Sequence, residues 1–80
     1  MKYKIDHKIF NEIEFTSDEV AQRAAERLAD YVLRNSDRSE IVIDILRWIE
    51  DKNEDPRAPA WFHHETVEMR IGTNLREYYD

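Results

Sequence analysis

The chain predicts an α+β domain with the order strand, helix, helix, strand. The terminal strands pair in a small antiparallel or mixed sheet, and the two helices lie on one face of it. Three observations predict this. Residues 3–15 alternate between apolar and polar positions, as a half-buried strand does. Residues 15–34 carry a helix-start signal followed by helical spacing of apolar residues. Residues 65–71 alternate again and stop at Gly72, the only glycine.

The first strand is expected near residues 2–10. Odd positions from Tyr3 to Phe15 read Tyr, Ile, His, Ile, Asn, Ile, Phe, and even positions are mainly charged. A hairpin is the competing arrangement. A two-residue turn would place Tyr3 and Ile5 on the same face as Glu12 or Glu14. An odd-length loop keeps Tyr3 with Phe15 and Ile5 with Ile13. No glycine is present to make the usual tight turn, so one strand with an extended lead-in is the reading taken.

The first helix is expected over residues 17–34. Thr16 stands as N-cap, with Glu19 three residues on to close a capping box. Phe15 before the cap and Val20 after it fit a hydrophobic staple. Asp18 and Glu19 complement the positive end of the helix dipole. Val20, Ala24, Leu28, Tyr31 and Val32 line one face, with Ala21 and Ala25 beside them.

Residues 40–52 admit two readings. As a helix, Ile41, Ile45, Trp48 and Ile49 share a face with Val42 and Leu46, and the charged residues fall opposite. As a strand, Ile41, Ile43 and Ile45 alternate, and β-branched content supports it. The polar spacing is given more weight, and a second helix is expected. Residues 51–64 then form a linker broken by Pro56 and Pro59. The last strand covers Glu65 to Ile71. A final helical turn, capped by Thr73 or Asn74, packs Leu75 and Tyr78 or Tyr79 inward.

Eighty residues make one domain, spanning 1–80. So small a chain buries only about 60% of its unfolded surface, so it needs an efficient core or a partner. There is no cysteine, hence no disulfide framework and no thiolate metal site. No stretch reads as a signal peptide or a membrane span, and a soluble cytoplasmic protein is expected.

The formal net charge is −6. Residues 1–40 hold nine acids against seven bases, and residues 41–80 hold nine against five. Lys2, Lys4 and Lys8 are the only basic cluster. Direct nucleic-acid binding is therefore disfavoured, because phosphates are met by a basic face. The acidity instead suits a partner with a basic surface, such as a nucleic-acid-binding complex. Its simplest alternative role is to keep a small protein soluble.

No catalytic signature is complete. Ser, Thr and His lack a nucleophile–base–orienter pattern, and one glycine cannot build a phosphate loop. Glu50-Asp51-Lys52 has the acid-x-Lys form of metal-dependent nucleases, with Asp44 upstream, but a catalytic metal needs further acids beside it. His63 and His64 are adjacent, so on a strand they point to opposite faces and cannot easily share a metal. No metal, no cofactor and no enzymatic activity are expected.

Two groups are candidate partner-binding residues. Asp44, Glu50, Asp51, Glu54 and Asp55 concentrate within twelve positions. They form either an acidic recognition face or an ordinary solvated one. Trp61 and Phe62 follow Pro59 and either plug the open end of the core or serve as binding anchors. In size, acidity and lack of a catalytic signature, the chain resembles small inhibitors of phages and mobile elements, including anti-CRISPR and DNA-mimic proteins. No motif carries that resemblance. It implies a non-enzymatic inhibitor that blocks a nucleic-acid-handling protein through an acidic face. The alternatives are a regulatory subunit that homodimerises through a sheet edge, and a metal-dependent hydrolase around His63, His64 and Glu50.

Overall fold

The computed structural model describes residues 1–70. Four elements follow in order: β1 Tyr3–Ile5, α1 Asp18–Arg34, β2 Glu40–Ile49 and β3 Ala60–Arg70. The strands form one antiparallel sheet in the order β1-β2-β3, and α1 packs on one face of it. The α+β class stands, but the order is β-α-β-β with one helix. The terminal strands do not pair with each other, because β2 lies between them.

Residues 40–49 are strand β2, not a second helix. Burial explains the outcome. A helix would leave Ile43 off the apolar face that gathers Ile41, Ile45 and Ile49. The strand sends all four to one side, where Ile41, Ile43 and Ile45 are at most 4% exposed. Val42, on the other side, is 57% exposed. The β-branched side chains, stiff at χ1, also suit the pleat better than a helix turn.

β1 is shorter than the expected strand over 2–10. After Ile5 the chain folds through successive turns, with His7 N–H donating to the Ile5 carbonyl, Phe10 to His7 and Ile13 to Phe10. It returns so that Tyr3 and Phe15 exchange both backbone hydrogen bonds, at 2.8 and 2.7 Å. The alternation over residues 3–15 thus belongs to an out-and-back excursion, with Tyr3 opposite Phe15 as an odd-length loop requires.

The N-cap of α1 is Ser17, one residue later than expected. Its backbone is extended and its hydroxyl accepts from Val20 N–H at 3.4 Å. The shift moves Glu19 off the capping-box position, and it pairs with Arg23 instead. The helix ends where expected: Asn35 caps the Tyr31 carbonyl through both its backbone and side-chain N–H groups.

The buried face of α1 is rotated from the expected one. Ala21, Ala25, Leu28, Ala29 and Leu33 face the sheet, whereas Val20 and Tyr31 are 51% and 60% exposed. Three alanines let the helix backbone approach the isoleucines of β2 closely, which bulkier side chains would prevent. Val20, Ala24 and Tyr31, with the edge of buried Leu28, line a groove of about 640 Å³ together with Ile9, Phe10, Arg23 and Arg27.

β3 begins at Ala60, so Trp61 to His64 belong to the strand and not to a linker. The expected end of the strand at Ile71 and Gly72, and the final helical turn, lie outside the described residues. No described helix is long and apolar enough to cross a membrane.

Candidate functional site at the end of the hairpin

β2 and β3 form a long hairpin, and its outer end projects beyond the helix. The first turn of α1 lies level with His64, whose Nε2 is 3.0 Å from Asp18 Oδ1. From there α1 runs over Ile45, Ile43 and Ile41, which complete the core. The pairs Trp48–Trp61 and Ile49–Ala60, and the turn beyond them, lie on the other side of that level. At about 3.3 Å per residue, four strand residues from His64 to Ala60 carry the chain roughly 13 Å further.

That turn holds four of the five candidate acids: Glu50, Asp51, Glu54 and Asp55. Local chemistry shapes it. Asp51 Oδ1 accepts from Asn53 N–H at 2.8 Å, and Asp55 Oδ1 accepts from Arg57 N–H at 2.9 Å. Such side-chain-to-backbone bonds two residues on are what Asp offers a turn. The Ala58–Pro59 peptide is cis, and Ala58 is buried beneath the turn.

Two of the four acids are matched by arginines. Glu54 pairs with Arg47 of β2, and Asp55 pairs with Arg57 at 2.9 Å. The Arg57 side chain, followed by its backbone N–H, holds the Asp55 carboxyl below the usual carboxylate range. The same hydrogen bond raises Arg57 above its ordinary value. Glu50 and Asp51 have no cationic partner among the described residues, and both are exposed.

Asp44 is not part of this group. It sits within β2 opposite Thr66, which donates to its Oδ1 at 3.0 Å. Glu50 lies six residue steps further on, roughly 20 Å in extended chain. The acid-x-Lys triplet at 50–52 therefore lacks Asp44 beside it.

Trp61 and Phe62 lie just behind the turn on opposite faces of β3. Trp61 meets Trp48 edge-on, with ring centroids 5.3 Å apart, on the face away from α1. Lys2 and Lys4 lie over the Trp48 and Trp61 rings, each at 5.2 Å. Phe62 lies on the helix side of the sheet with Arg57 stacked at 4.8 Å. Neither belongs to the core cluster. Both are half-buried.

The two histidines separate as strand parity requires. His63 is on the face away from α1, with Nε2 2.8 Å from Thr66 Oγ1 and 3.4 Å from Asp44 Oδ1. His64 is on the helix side, 5.1 Å from the Tyr3 ring. Comparison of the chain with protein-family models, with curated proteins and with solved structures finds no match.

Proposed function

We propose that the protein is a non-enzymatic binding module whose recognition element is the outer end of the β2–β3 hairpin. Its partner is a protein with a basic surface, of the kind that handles nucleic acid, and occupying that surface inhibits it. One observation carries this reading. Glu50, Asp51, Glu54 and Asp55 share a single turn at the end of a hairpin that α1 does not cover.

The roles divide within the turn. Glu50 and Asp51 supply uncompensated charge, which steers a basic partner from a distance. Glu54 and Asp55, tied to Arg47 and Arg57, hold the turn in one shape, which lowers the ordering cost of binding. Trp61 and Phe62 provide apolar surface next to the acids, the composition of an interface anchor. Asp44 lies outside this element.

The test is capture from cell extract by the immobilised protein, with a variant in which Glu50→Gln, Asp51→Asn, Glu54→Gln and Asp55→Asn are combined. The expected result is a captured protein that duplex DNA displaces and that the variant fails to retain. Equal capture by the variant, or capture insensitive to DNA, overturns the reading.

A further inference from the structure

The sheet contains one irregularity, and it builds a second site. Ile45 pairs with Glu65, but Leu46 pairs with His63, so His64 is an extra residue with no partner on β2. This is a β-bulge, a device that re-aims side chains. In a regular strand His64 and Glu65 would face opposite sides. Here Glu65 faces the helix side opposite buried Ile45, and His64 faces the same side against Tyr3 and Asp18. Strand parity, which argues against a metal shared by His63 and His64, places no such limit on His64 and Glu65.

We infer that Asp18, His64 and Glu65 form a binding site for one divalent first-row transition ion of the Zn²⁺ type. Asp18 comes from the first turn of α1, and the other two come from the bulge. Their candidate ligand atoms all lie within 4.8 Å of one another. A tetrahedral ion at about 2.0–2.2 Å from its ligands holds them roughly 3.4 Å apart. The 3.0 Å separation of His64 Nε2 and Asp18 Oδ1 is already close to that, and Glu65, within 4.8 Å of both, closes the set with a shift of at most about 1.4 Å.

Two further observations point to a cation. Glu65 Oε2 is shielded from solvent and has no hydrogen-bond partner among the described residues. A carboxylate oxygen taken from water without a partner is costly, and a dication removes that cost. Asp18 is also held in place. Its Oδ2 accepts from the Gln22 side chain at 3.2 Å, leaving Oδ1 turned to His64. That is the outer support that ligating carboxylates usually have. Two carboxylates balance the charge of a dication, and one imidazole with two carboxylates suits zinc better than Mg²⁺ or Ca²⁺. The ion would tie the start of α1 to β3, with solvent at its fourth position.

The test uses the tag-free chain and needs no partner, so its result is independent of the hairpin-end reading. Zn²⁺ is titrated by calorimetry, and melting is followed with and without the ion. The expected result is 1:1 binding with a raised Tm. Both are lost in His64→Ala and in Glu65→Gln, and both are kept in His63→Ala. Without metal, Glu65→Gln should melt no lower than the parent, because it removes an unpartnered charge; this separates ligand loss from misfolding. Absence of Zn²⁺ binding, or binding abolished equally by His63→Ala, overturns the inference.

Discussion

Asp55 shows how one side chain sets the shape of the acidic turn. Its carboxylate accepts from the backbone and the guanidinium of Arg57, and the bond favours the charged form. The folded pKa therefore lies below the ordinary 3.8. The contribution of this latch is fully present above that value and is lost as pH falls through the lowered one. An NMR titration should place the Asp55 midpoint below 3.8, and Arg57→Gln should raise it towards the ordinary range, with the backbone N–H at position 57 keeping part of the lowering. An Asp55 midpoint unaffected by Arg57→Gln would show that the pair is not formed in solution. At this scale the sequence is legible only to within a residue. Thr16 and Ser17 are both good N-caps, so propensity does not decide between them, and the structure uses Ser17. The role of His64 cannot be seen in its neighbours, because a bulge leaves no mark in the alternation of a strand this polar.

At the scale of elements, α1 makes the clearest demand. Its buried face is built on Ala21, Ala25 and Ala29, all fully buried. Ala25→Leu should destabilise by about 1–3 kcal/mol in chemical denaturation, the usual cost of overpacking. Val20→Ser, on the exposed stripe, should stay within about 0.5 kcal/mol, as surface substitutions do. The opposite order of effects would restore Val20 to the core. Helix existence and extent were readable from the cap, the first-turn acids and the spacing. The face is legible only in part: Leu28, Ala21 and Ala25 are buried and Ala24 and Val32 pack against the core, whereas Val20 and Tyr31 stay exposed and Ala29 and Leu33 are buried in addition. β2 is ambiguous in the sequence for a related reason. Ile41 and Ile45 fit both periods, and only Ile43 distinguishes them. Its burial depends on a partner strand some twenty residues further on. The turn at 50–59 is legible through Pro56 and Pro59, but the strand resumes at Ala60, within the stretch whose prolines suggest a linker up to residue 64.

At the scale of the whole molecule, the protein is polar in its charge layout. The core occupies the end of the sheet covered by α1, and the candidate recognition end is a bare hairpin tip carrying four acids. The cluster of acids could be read from the sequence. Its division into a turn group and a separate Asp44 could not, since that follows from β2 being extended. The proposal that the tip binds a basic partner is tested most directly by the salt dependence of association with the captured protein. Between about 50 and 500 mM salt the screening length falls from about 14 Å, comparable to the size of the turn, to about 4 Å. The association rate of the parent should fall steeply over this range, by roughly tenfold or more, with little change in dissociation. The four-site Gln/Asn variant should associate slowly at all salt concentrations, with a flat dependence. An association rate and salt slope in the variant equal to those of the parent would contradict it, and would leave solubility as the role of the charge.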